Sequence, residues 1–149
     1  MTNINITDTA KLGTLSTQIL SILQEEGYHP TKFADSLITF EVAGQTYALY
    51  LEPDLNGLIY INFFTKYISP FSLSTDDTFT IFNNINHHTR IVNISFYPEN
   101  TSNIQISADY YINETKDFTI LFHRAFSLLQ EAEKELKRLT AKAIKKCPF

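Results

Sequence analysis

One cysteine in 149 residues, Cys147, allows no intrachain disulfide and no thiolate metal site of its own. Four glycines, at positions 13, 27, 44 and 57, lie too far apart for a phosphate-cradling loop. With only five prolines besides, turn formers are scarce, so the elements should be few and long. Tryptophan is absent, yet twelve Phe and eight Tyr remain, which points to a core built on large rings. No stretch approaches the ~18 apolar residues of a membrane-spanning helix. The first residues, Met1-Thr-Asn-Ile-Asn-Ile-Thr7, carry neither a basic region nor a signal-length apolar run, so the expected location is cytoplasmic. What is present, 44% hydrophobic and 19% charged residues, suits one globular domain.

The net charge of −4 is unevenly spread. Residues 1–115 hold 4 Lys/Arg against 12 Asp/Glu, whereas residues 116–149 hold 8 against 4. From Lys137 onward there are five basic residues and no acid. Lys and Arg suit the negative end of a helix dipole, which explains a basic helix end without a ligand. Neither nucleic acid nor membrane is expected as partner, since five charges on one helix beside an acidic body make no basic face. An acidic face on a second protomer or another protein is the other reading.

The longest patterned stretch is the last. Phe118, Phe122, Ala125, Leu129, Ala132, Leu136 and Leu139 recur at spacings of four and three, one face of a helix. Leu121, Phe126 and Leu128 widen that face to about 160° in its first half, a width that needs a sheet beneath it. Beyond Ala132 it narrows to a seam, which suits one neighbouring helix or a second copy of the chain.

Upstream, residues 1–8 read as a disordered lead-in to a single domain over 9–146. Thr7 or Asp8 can cap a first helix with Leu12, Leu15, Ile19, Ile22 and Leu23 on one side, ended by Gly27. Strands follow at 36–42 and 46–51, joined at Ala43-Gly44-Gln45. Leu58–Ile68, after a polar turn at 52–57, is apolar on both sides. Such a strand is either covered on both faces or meets another protomer with one of them. Ser74-Thr-Asp-Asp77 reads as a capping box opening a helix over 75–87, with Phe79, Phe82, Ile85 and Asn86 inward. Arg90–Tyr97 and Asn103–Ile112 form a second hairpin, its second strand with Ile104, Ile106, Ala108 and Tyr110 on one side and Gln105, Ser107, Asp109 and Tyr111 on the other, and Asn113 or Thr115 caps the last helix. The order α-β-β-β-α-β-β-α predicts an α+β fold with a single antiparallel sheet.

No catalytic constellation emerges. The carboxylate pairs Glu25-Glu26, Asp76-Asp77 and Glu52/Asp54 each have a structural reason at a helix end, a cap or a turn. His87 and His88 are about 100° apart on a helix and cannot share an ion, and no HExxH or CxxC occurs. No catalytic residue, metal or cofactor is therefore expected. The alternative function is small-ligand binding or a minor enzyme, with Asn83, Asn86, His87 and Arg90 lining a pocket between the sheet and the 75–87 helix. The alternative for the asparagines is a fixing role, bonded to neighbouring backbone.

Short motifs in a consistent order resemble the YbjN-like family of bacterial proteins, labelled sensory transduction regulators, whose fold is that of type III secretion chaperones. They are Ile22-Leu23 to Gly27-Tyr28, Phe40-Glu-Val-Ala-Gly-Gln-Thr-Tyr-Ala-Leu49, Phe82-Asn-Asn-Ile-Asn86, Ile106-Ser-Ala-Asp-Tyr110 and Leu128-Leu-Gln-Glu131. The basic end after Leu136 lies outside that pattern. The resemblance implies homodimerisation and regulatory or chaperone-like protein binding, without enzyme activity. The expected function is thus a non-enzymatic homodimeric module with an unidentified protein partner. Its candidate interface is Leu58, Tyr60, Phe64, Tyr67, Ala132, Leu136 and Leu139.

Overall fold

Alternating apolar residues need a second layer, and the chain provides it with three helices laid on one side of a sheet. The structure is a computed structural model describing residues 6–54, 56–68, 74–88, 92–97 and 100–145. Its elements are α1 (Ile6–Glu25), β1 (Thr31–Ala34), β2 (Leu37–Val42), β3 (Gln45–Pro53), β4 (Ile59–Ile68), α2 (Thr75–His88), β5 (Val92–Tyr97), β6 (Asn100–Ile112) and α3 (Thr115–Lys145). The strands form one sheet in the order β1-β2-β3-β4-β6-β5, antiparallel throughout. The α+β class with a single antiparallel sheet is as read from the sequence. Strand β1 is an addition to the expected order. Its four residues are mostly exposed and its register breaks between Lys32 and Ala34, so it carries no alternation to be recognised. Helix α1 begins at Ile6, inside the stretch read as lead-in.

Period two then divides the sheet into a covered and an open face. Ile38 and Phe40 of β2, Tyr47, Leu49 and Leu51 of β3, and Ile59, Ile61 and Phe63 of β4 all face the helices and are buried. So do Ile104, Ile106 and Ala108 of β6, as their alternation required. Their i±1 neighbours point the other way. The two-faced strand β4 therefore sends odd positions into the core and even positions, Tyr60 to Ile68, onto the open face.

Local chemistry sets the ends of the elements. At Gly27 (φ 92°) the Tyr28 N–H reaches the Leu23 carbonyl at 3.0 Å and the Gly27 N–H reaches that of Gln24 at 3.1 Å. These are the two bonds of a Schellman ending, which a left-handed glycine makes without strain. The β2–β3 hairpin turns on two residues, Ala43 (φ 52°) and Gly44 (φ 79°), with Val42 opposite Gln45. Positive φ at both positions matches the twist of the strands, and it shortens the expected connection because Gln45 already belongs to β3. At α2 the Ser74 hydroxyl accepts from the Asp77 N–H at 3.1 Å, the capping half of the anticipated box.

Helix α3 is the main cover. Its 31 residues span about 46 Å, against about 24 Å across six strands. Phe118 and Phe122 are fully buried, and the Phe122 ring lies 5.3 Å from Phe63, 5.9 Å from Phe40 and 6.1 Å from Tyr28. The narrowed seam of the second half was expected to lie against one neighbouring helix or a second copy of the chain. Within the single chain Ala132 and Leu136 are already buried to 1% exposure, and Leu139 packs partly buried on the same core. Helix α2 packs against α3 and β5. Within α2 the inward residues are Thr78, Ile81, Phe82 and Ile85. Phe79 points out at 48% exposure, one position off the expected face.

Candidate functional site: the open face of the sheet

Rows of paired residues build this face across the strands. One row runs Glu52–Tyr60–Tyr111, the next Leu37–Tyr50–Asn62–Asp109, and a third Thr39–Ala48–Phe64–Ser107–Asn93. Tyr50 and Tyr111 are 39% and 54% exposed, and Leu37, Tyr60 and Phe64 are half-buried. The Tyr60 and Tyr111 rings meet at 5.4 Å, tilted by 51°. Side-chain neighbours on a pleated face shield one another in part, which explains why aromatics with no helix above them are not fully exposed.

A polar group is set between the rings. The Asn62 amide donates to the Asp109 carboxylate across the β4–β6 pair. Burial, then hydrogen bonding to Asp109, pushes the Tyr60 phenol up to about 12. Paired polar groups of this kind keep an apolar patch in register with whatever covers it, since each must be matched when water leaves.

Of the residues singled out from sequence, Tyr60 and Phe64 are on this face. Leu58 lies half-buried just before β4. Tyr67 turns to the helix side, packed on the core, with the Lys137 ammonium 5.7 Å from its ring centre. Ala132, Leu136 and Leu139 belong to the core and not to this surface. Tyr50, Tyr111 and Leu37 were not singled out. Alternation within β3 and β6 already pointed them away from the core, but only the strand order brings them beside Tyr60.

The residues proposed for a pocket under α2 do not converge. Asn83 and His87 are exposed, and Arg90 lies outside the described residues. The Asn86 Oδ1 accepts from the Ile94 N–H at 3.0 Å, the fixing role rather than a ligand contact. That N–H belongs to the outer edge of β5, so Asn86 plugs a strand edge that carries no Lys or Pro to blunt it. This explains a poor helix former near the end of α2. Asn86→Ala should lower stability by about 1 kcal/mol in urea titration and speed amide exchange at Ile94. Unchanged exchange there would sink the plug.

A second polar group lies between the β2–β3 hairpin and α3. A cleft of 240 Å³ is lined by Val42, Gln45, Tyr47, Gln130, Glu133 and Lys137 among others. The Tyr47 hydroxyl makes a long bond of 3.4 Å to the buried Glu133, which pairs with Lys137 at 3.0 Å. Burial, then the Glu133 charge, pushes the Tyr47 phenol up to about 12. Tyr110, with no partner for its buried hydroxyl, is also pushed up by burial. Each folded phenol thus holds its proton above the usual 10 of the unfolded chain. The contribution of these phenols to stability should be constant below about pH 9 and fall from about pH 10 to about pH 12, where unfolded tyrosines ionise first. Circular dichroism should show that fall and tyrosinate absorbance should rise with it. Tyr47→Phe should make the fall shallower, and an unaltered slope would remove Tyr47 as a cause.

Among the described residues no three His, Cys, Asp or Glu side chains gather as a metal site, and no helix is long and apolar enough to cross a membrane. Neither a scan against protein-family models nor a search of curated proteins finds a match for the chain.

Proposed function

We propose that this chain is a non-enzymatic, homodimeric protein-binding module of regulatory or chaperone-like type. The YbjN-like order of motifs supports that reading from the sequence side. The observation that carries it is the open sheet face bearing Leu37, Tyr50, Tyr60, Phe64 and Tyr111. Six strands ~4.8 Å apart and ~30 Å long present about 700 Å². A standard interface uses about 800 Å² per partner, so one face of this size suits one second copy. Two such faces stack about 10 Å apart with their strands near −30°, side chains interleaved. Tyr and Phe supply large contact area at low entropy cost, which makes them the anchors of such a contact. α3 is not part of it, because its apolar stripe is spent within the protomer.

Size-exclusion chromatography with light scattering tests this. The wild-type chain should elute at twice its mass of 17.1 kDa at micromolar concentration. Tyr60→Ser with Phe64→Ser should weaken the dimer by about 1000-fold, two anchors at ~2 kcal/mol each, with circular dichroism unchanged. A wild-type chain that is a strict monomer at that concentration would overturn the dimer.

A further inference from the structure

Both outer edges of the sheet are guarded in part. β5 has the Asn86 plug, while β1 is short, carries Lys32 paired to Asp35 at 2.8 Å, and contains a register break. On the β1 side a gap remains. β1 begins only at Thr31, opposite Thr39, so among the described residues β2 runs on through Phe40, Glu41 and Val42 without an outer neighbour.

The direction of the backbone groups in that gap follows from one bond. The Leu51 N–H donates to the Ser36 carbonyl at 2.8 Å, so residue 36 directs its peptide groups at β3. By period two, Ile38, Phe40 and Val42 do the same, while Leu37, Thr39 and Glu41 direct theirs outward. β1 takes the first two of these outward positions. The next rung, the N–H and C=O of Glu41, would fall to His29 if β1 continued, but His29 lies outside the ladder, before Pro30. A groove of 500 Å³ opens there, lined by His29, Thr31, Glu41, Gly44 and Thr46 among others.

We infer that the Glu41 rung is a strand-addition site for an extended peptide carrying a basic residue opposite Glu41. The peptide lies in the line of β1, ends there because Thr31 already stands opposite Thr39, and takes both backbone bonds of the rung with its last residue. That last side chain stands on the open face about 5.5 Å from Glu41 between Cα atoms, close enough for opposite charges to pair. Glu41 is the one carboxylate among the residues lining the groove, so a Lys or Arg is selected and an acid repelled. The side chain before it falls on the helix side, beside the half-buried Val42 and Tyr28, and is apolar. The backbone rung lies at the edge of the sheet rather than on the face assigned to the dimer, and it names a different kind of partner.

Titration of the isotope-labelled protein with Ac-Thr-Val-Lys-NH2 tests it by NMR. Saturable shifts should centre on the amides of Glu41 and Ala43, with slower hydrogen exchange at Glu41. The same peptide with Glu in place of Lys should bind about tenfold more weakly, and Glu41→Lys should reverse the preference. N-methylation of the lysine's backbone nitrogen should abolish binding, because it removes the donor to the Glu41 carbonyl. The Tyr60→Ser, Phe64→Ser variant should bind the Lys peptide as wild type does, so a failed dimer and a failed edge site are told apart. No saturable shift at millimolar peptide, or equal binding of the Lys and Glu peptides, would overturn the proposal.

Discussion

Phe122→Ala should be the most damaging single truncation in the chain, lowering unfolding free energy by about 3–5 kcal/mol. Phe122 is fully buried at the point where α3 crosses the sheet. Its ring meets Phe63 of β4, Phe40 of β2, Tyr28 after α1, and Phe118 and Phe126 on its own helix. Removing it leaves a cavity bounded by rings from four segments, none of which can collapse into it without moving a strand. A domain of this size has roughly 5–15 kcal/mol in all, so the variant should unfold at markedly lower urea or fail to accumulate. Urea titration with circular dichroism measures the loss. A change under 1 kcal/mol would mean that the aromatic cluster does not hold the layers together.

Leu136→Ala should cost about 2–5 kcal/mol, and by the same amount at every protein concentration. This result separates the two accounts of α3. A seam covered by a second protomer would make the loss depend on concentration, because the contact would exist only in the dimer. Leu136 is 1% exposed within the single chain, with Ala132 beside it equally buried and α2 packed against the same helix. Melting temperatures measured over a hundredfold range of concentration decide between them. If the difference between variant and wild type shrinks on dilution, the seam belongs to an interface after all.

Much of this fold was legible in the residues, for definite reasons. The four-and-three spacing of Phe118 to Leu139 marked one face of α3, and every residue of it is buried or packed on the core. The alternation of Ile104, Ile106 and Ala108 marked the inner face of β6 in the same way. Gly27 marked the end of α1 and Ser74 the start of α2, because a left-handed ending and an N-cap each favour particular side chains. β1 escaped notice since a short exposed edge strand imposes no hydrophobic period. Phe79 was placed on the wrong side because one large residue weighed more in the pattern than Thr78 and Ile81 together.

The candidate face was half legible. Tyr60 and Phe64 stood out because β4 is apolar on both sides, and a strand central in a sheet was expected to need two covers. Tyr50 and Tyr111 did not, since each is a single ring on the polar side of an otherwise ordinary strand. Ala132 and Leu136 were credited to an interface because a narrowing stripe looks the same whether its cover is a partner's helix or the chain's own.

The amino-acid sequence by itself determined the elements, their inward sides and the single antiparallel sheet, since periodicity and caps act within a few neighbouring residues. Only the tertiary structure decided which surfaces are left uncovered. That depends on strand order and on where α2 comes to rest, and both are set by contacts between residues far apart in the chain. It is why the long C-terminal helix is closed and the opposite face of the sheet is open.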